Sequence, residues 1–279
     1  MPETKTPTVE ESKFGALKKY LSIYWYYFKQ YWKTRLVYKA DFAVGFVAQL
    51  VNLGASLAFL TLIFTQVETI NGWTFNEMLF LAGIGGFIMN FHHIFLFNMF
   101  SLEDYVVEGK MDRFLVRPLS PLFQVYADEV SDNNLSKLIA NTALIIYSAN
   151  QLGLQLLTLS NLLFGVAFLA SGVLVFAAAY MAFATTSFWT GKSRSAIWLI
   201  FRLSEYRRYP YSIYSTTIQI ILVSVIPIAF ASFFPATYFL GREGWRSWQL
   251  ASIAAGPILF ALSYSFWKVG LSNYSSTGS

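Results

Sequence analysis

Few side chains in this sequence are of the kinds that do chemistry, and they are scattered. The apolar run at 78–100 holds Asn90, His92, His93 and Asn98. Adjacent helix positions point about 100° apart, so His92 and His93 cannot chelate one ion together. Metal binding asks for i, i+4 spacing and further ligands, and neither a cysteine nor a nearby carboxylate supplies them. No metal site is expected. A histidine with an asparagine could serve a membrane-embedded acyl transfer, but hydrogen bonding to a neighbouring helix asks for less. Gly191-Lys192-Ser193 resembles the end of a phosphate-binding loop. The full pattern needs a glycine at 186, where Thr186 stands, and a strand before it. No other nucleotide signature is present, so no catalytic residue and no cofactor is assigned to the chain. Without cysteine, disulfide and thiol chemistry are excluded.

The elements around these residues are built for lipid. Of 279 residues, 56% are hydrophobic and 13% charged, with mean hydropathy +0.48. Soluble domains carry about 25% charge. Lipid demands helices or a closed barrel, and long unbroken apolar runs select an all-α polytopic membrane protein. The net charge of +5 sits beside those runs, which points to anionic lipid rather than nucleic acid.

Residues 1–13 read as a disordered cytoplasmic tail without a cleavable signal. Residues 14–40 mix Lys18, Lys19, Lys29 and Lys33 with Tyr20, Trp25, Tyr26, Phe28 and Trp32, the pattern of an interfacial helix or of a simple anchoring flank. Six spans are expected near 42–64, 78–100, 135–152, 162–189, 213–234 and 249–267, with a tail at 269–279. The third is polar, with Asn141, Ser148, Asn150 and Gln151, and should pack against partners. Lys and Arg number eight before the first span, four between spans two and three, five between four and five and one in the tail, against only Arg242 and Arg246 opposite. Both termini are therefore expected on the cytoplasmic side of the cell membrane.

Asp41 and Glu77 fall at span ends and no span centre holds a charge, which argues for an energy source outside the chain. Ala82, Gly83, Gly85 and Gly86 form a small-residue face for close helix packing, within the chain or across a dimer axis. Pro227 and Pro235 predict a bent or re-entrant segment at 227–241 on the external side, with a plain helix end at Pro235 as the simpler outcome. Gly83, Gly86, Asn90, His93, Pro227 and Pro235 are thus candidates for a translocation path or a dimer interface. In the loop between spans two and three, Gly109 permits a turn and Pro118 a stop, and Phe114, Leu115 and Val116 look like an apolar patch on a charged surface. Such a patch suits docking on a soluble partner, or lying on lipid. The loop between spans four and five offers Arg202, Glu205, Arg207 and Arg208, which suit a lipid phosphate, a polyanionic head group or a positive-inside anchor.

Three stretches resemble a known family: Gly109-Lys110-Met111-Asp112-Arg113-Phe114-Leu115-Val116-Arg117-Pro118-Leu119-Ser120-Pro121-Leu122; Arg208-Tyr209-Pro210-Tyr211-Ser212-Ile213-Tyr214; and Ile226-Pro227 through Phe234-Pro235-Ala236 to Leu240-Gly241. They look like the six-span permeases of type-2 ATP-binding-cassette exporters without a fused ATPase. The resemblance implies two permeases, identical or sister chains, joined to two ATPase subunits that hold ATP and Mg. It makes the N-terminal helix a connecting helix. Gly109, Asp112, Arg113, Phe114, Leu115, Val116, Arg117 and Pro118 become the coupling segment, bearing force through Phe114, Leu115 and Val116. The substrate would be amphipathic. A stand-alone secondary transporter or channel, a membrane-embedded transferase using His92 or His93, and a structural assembly subunit remain the rivals.

Overall fold

The computed structural model describes residues 9–35, 39–129 and 134–276. The first helix, α1 (Val9–Arg35), begins ahead of the expected start at residue 14. The rest of the expected tail, 1–8, lies outside the described residues. Next come α2 (Lys39–Phe64) and α3 (Phe75–Leu96). Thr74 and Glu77 close a capping box at the start of α3. A 3-10 turn, Phe97–Ser101, leads into α4 (Leu102–Val107). Two short helices follow, α5 (Asp112–Leu115) and α6 (Pro121–Asp128), then α7 (Leu135–Gln151). Beyond these lie α8 (Leu159–Thr185), α9 (Ser187–Thr190) and α10 (Arg194–Leu203), the last continued by 3-10 turns at Ser204–Arg208 and Tyr211–Ile213. The chain ends in α11 (Thr216–Ile220), α12 (Phe233–Phe239) and α13 (Arg246–Ser272). Among the described residues there is no strand, only an isolated bridge between Ile70 and Trp73.

Four stretches are long and apolar enough to cross a membrane: Ala43–Phe64, Phe75–Val107, Leu159–Thr190 and Arg246–Ser272. At 17 residues, α7 falls short of the roughly 20 that a bilayer core asks for. It nevertheless runs antiparallel to α3, with Asn141 against Gly86 and Ile145 against Gly83.

The fifth span is where the expectation needs correcting. Residues 194–213, read from sequence as a charged loop, follow α3 from one end to the other. Arg194 pairs with Asp104, Ser204 Oγ faces Met89 Sδ at 3.5 Å, the Arg207 backbone abuts Gly85, and Asn71 donates to the Ser212 carbonyl at 2.8 Å. The stretch is a ten-residue α-helix followed by two 3-10 turns. The more apolar stretch that sequence placed at 213–234 does not run as one span. Thr216–Val225 and Ile228–Phe239 meet at a bend of 72°. Pro227 sits at the break, after the π-helical turn Ile221–Val225. Pro235 does not end a helix. It lies in the first turn of α12, where a missing N–H costs nothing. The bent pair packs at the same end as Trp73 and Phe80, through Phe233 and Phe239. Hydropathy reversed the two segments because Arg202, Glu205, Arg207 and Arg208 depress the average of the stretch that traverses.

Six segments therefore run between the same two ends: α2, α3 with α4, α7, α8, 194–213, and α13. One end carries Lys110, Arg113, Arg117, Lys192, Arg194 and Lys268 and is called the basic end below. α3 is the axis of the bundle; Met78 to Ile94 are mostly buried along it. Gly172 admits Ile88 of α3 with a built Cβ only 2.8 Å from it, so a larger residue there would push α8 away.

Candidate functional site

At the basic end a short braced turn projects from the helices. α4 stops at Val107, and Gly109, at φ +68°, turns the chain. Met111 is fully buried, and its N–H donates to the Tyr105 carbonyl at 2.9 Å. Phe114 is 1% exposed, edge-on to Tyr105 at 5.3 Å, and its carbonyl accepts from Gln124 Nε2 at 2.8 Å. Arg113 lies over the Phe114 ring and donates to Asp128, which also accepts from the Tyr105 hydroxyl. Asp112 accepts from Tyr274 Oη and Ser276 Oγ, beyond the end of α13. The expected patch of Phe114, Leu115 and Val116 is thereby corrected. One turn of helix cannot present three consecutive side chains on one side, and Phe114 points inward as the anchor of the turn. Leu115, Val116, Arg117 and Pro118 form the exposed tip, with Val116 83% exposed.

Two further braces hold this end together. Glu103 Oε2 accepts from the backbone N–H groups of Ser193 and Arg194, at 2.5 and 2.7 Å, and so caps α10 from a distant helix. The Arg194 guanidinium binds both carboxylate oxygens of Asp104. On the other flank, Tyr20, Tyr24 and Phe28 share one face of α1 at i, i+4 spacing. Tyr20 packs on Phe123 and accepts from the Ser120 N–H, while Tyr24 donates to the Phe95 carbonyl. Trp25, Tyr26 and Tyr27 face away.

Within the bundle, α2 stands off from its neighbours and leaves a cavity of about 350 Å³. Its walls are Gln49 and Asn52 of α2, Gly86, Asn90 and His93 of α3, Lys137 and Asn141 of α7, and Glu205, Arg207 and Arg208. A second void of about 490 Å³ adjoins it past His93 and Lys137, towards Phe97, Phe100 and Trp198. Arg207 is 7% exposed and bonds the Ser204 carbonyl and Glu205, which also binds Arg208 at 2.6 Å. This cluster lies at the level of Gly85, midway along α3, although outside the four stretches long and apolar enough to cross a membrane. Its partners from sequence divide. Gly86, Asn90 and His93 reach the cavity. Gly83 is covered by Ile145, and Gly86 by Asn141, so this glycine face packs within the chain rather than across a dimer axis. Neither Pro227 nor Pro235 lines the cavity. His93 Nε2 lies 3.3 Å from Tyr180 Oη. His92 is fully enclosed, stacked on Tyr180, and its ring nitrogens have no partner among the described residues. No group of three metal-ligating side chains occurs among the described residues.

A family model described as ABC-2 family transporter protein matches residues 50–278. The chain belongs to this family. No curated protein and no solved structure matches it. This ABC-2 chain is therefore an integral membrane protein and a transport subunit. The match starts inside α2, so α1 lies outside it. Sequence reasoning about the ABC-2 chain missed Glu103, Asp104 and Tyr274, whose roles come from partners 90 or more residues away and leave no local spacing to read. It also set Arg207 in a loop, although four charges within 202–208 between apolar flanks were the available signal of a buried cluster.

Proposed function

We propose that the chain is the permease of an ATP-driven exporter of an amphipathic substrate, two such chains, or one with a sister, being joined to two ATP-binding-cassette ATPases. ATP and Mg²⁺ belong to those ATPases. The observation that carries this reading is the braced turn with an exposed Leu115-Val116-Arg117-Pro118 tip at the basic end, in a chain of this family. Lys and Arg gather on cytoplasmic sides, so the basic end faces the cytoplasm of the cell membrane, where the ATPases lie.

The geometry supplies a lever. Closure of the ATPases on ATP pushes the tip. Through Phe114 on Tyr105 the push reaches α4 and hence α3, which walls the cavity. Through Asp112 on Tyr274 it reaches α13. The cavity changes its access as α3 shifts against α2. A stand-alone secondary transporter predicts buried ionisable groups, and Arg207 is one. Family membership favours the ATP-driven reading, and nucleotide-free transport by the lone polypeptide would reverse it.

The test is Val116→Asp in the assembled complex. ATP hydrolysis should lose its dependence on substrate, or the ATPase should no longer co-purify, while the thermal stability of the permease stays at wild type. Fully coupled transport by this variant removes the tip from the mechanism.

A further inference from the structure

Among the described residues, the charges around the cavity do not cancel. Glu205 is shared between Arg207 and Arg208. Lys137, on the facing wall, has no carboxylate within 4 Å among the described residues. Arg207 is buried and its Nε has no hydrogen-bond partner among the described residues. Among the described residues lining the cavity, one carboxylate thus stands against three cations, of which Arg207 is buried while Arg208 and Glu205 are partly exposed. The same cavity continues along Leu53, Leu57 and Leu60 of α2, an apolar wall a few ångströms from the cations. α2 itself is exposed along Val44, Val47, Val51, Phe59 and Leu62, an apolar outer face that continues this wall.

We propose that the cavity receives the acidic group, phosphate or carboxylate, of an acyl-chain amphiphile, held by Arg207, Arg208 and Lys137 while its chain lies along α2. The proposal rests on the permease reading for transport of that amphiphile, and on the cavity alone for its binding. The excess positive charge selects an anion. The adjoining leucines select a ligand with an apolar tail over a free inorganic anion.

The experiment uses the full chain in phosphatidylcholine nanodiscs. Its probes are a pyrene-labelled dodecyl phosphate, the corresponding dodecylamine, and inorganic phosphate as competitor. The phosphate amphiphile should bind saturably and the amine should not. Lys137→Gln and Arg208→Gln should each weaken binding about tenfold, the loss of one charge-assisted contact. Both side chains are less buried than Arg207, so unfolding temperatures near wild type verify that the variants fold. Equal binding of the amine, unchanged affinity in the double variant, or displacement by inorganic phosphate at concentrations comparable to the amphiphile would each overturn the proposal. Failure of the permease reading looks different. In that case the Lys137-sensitive binding persists but no ATPase joins the chain. Conversely, ATP-coupled export of a neutral or cationic amphiphile that is insensitive to Lys137→Gln keeps the permease and removes the anion site.

Discussion

Two helix pairs in this molecule are built on opposite plans. α8 and α13 meet with nothing between them. The Ser171 hydroxyl donates to the Ser252 carbonyl and accepts from the Gly256 N–H at 2.9 Å, entering the ladder of α13 just before Pro257. Ser263 donates to the Ala178 carbonyl, and Gly270 lies against Thr185 and Phe188. Small residues and hydroxyls bring the two backbones together, which is how helices associate where lipid is as apolar as leucine. α2 does the reverse. Asn52, Ser56 and Thr61 bond back to their own helix at i−4, so they contribute nothing across the gap to α3 and α7. The first pair is a close-packed strut and the second a loosely packed wall beside a polar cavity. Close and loose packing are assigned to different helices of one bundle.

The sharpest way to break this comparison is a pair of glycines. A Cβ on Gly256 would overlap the Ser171 backbone, whereas a Cβ on Gly54 of α2 meets nothing within 4 Å. Gly256→Ala should cost about 3 kcal/mol or more, because a backbone cannot move aside. Gly54→Ala should change stability by under about 1 kcal/mol, in the stabilising direction, from helix propensity. Thermal unfolding of both variants in the same detergent reads the contrast, and equal losses would show that α2 is packed as tightly as α13.

The next contrast lies within the turn at the basic end. Phe114→Ala removes the buried anchor and should cost about 3–5 kcal/mol. It should abolish coupling through disorder of the turn. Val116→Ala should leave stability within about 0.5 kcal/mol, as for an exposed site, and reduce coupling only. A Phe114→Ala protein of wild-type stability would return Phe114 to the docking face.

What sequence conveyed and what it did not follows the same physical line. The spans that became α2, α3, α8 and α13 were legible because burial in lipid is written as composition over some twenty residues. So was Gly109, because a positive φ selects glycine. The traverse of 194–213 was not, because its charges meet Asp104 on a distant helix, Glu205 on the same segment and a cavity, none of which a window of sequence displays. The apolar bent pair drew the fifth span to itself: its second half, about Phe233–Phe239, is covered by protein at one end of the bundle, while Ile220 and Val225 of its first half are apolar yet exposed. For the turn, composition marked Phe114, Leu115 and Val116 alike, and only the rotation of one helical turn separates the anchor from the tip. For the cavity, Asn90 and His93 were visible as polar residues in an apolar run. Lys137 was visible only as a charge near a span end.

A smaller effect sits at Glu103. Glu103→Gln keeps the shape of the cap on α10 but removes its charge, which should cost about 1–2 kcal/mol. Since α10 opens the charged traverse, the loss should appear first as faster proteolysis near Lys192 and Arg194 rather than as global unfolding. Proteolysis unchanged from wild type would mean that Asp104 and Arg194 hold this junction alone.

A further small loss of stability tests whether the strut and the lever are connected. Tyr274 follows α13 and donates to Asp112 in the turn at 2.9 Å. Tyr274→Phe deletes that bond and keeps the ring against Phe188, so stability should fall by only about 1 kcal/mol. If force from the tip reaches the bundle along α4 alone, coupling of ATP hydrolysis to transport stays at the wild-type ratio. If the strut formed by α8 and α13 serves as the fixed point against which α3 moves, then cutting its strap to the turn lets the tip slip. The ratio of substrate moved to ATP hydrolysed should then fall while ATPase binding does not. A drop in that ratio with unfolding temperature nearly constant assigns the strut a mechanical role, and an unchanged ratio confines it to holding the fold.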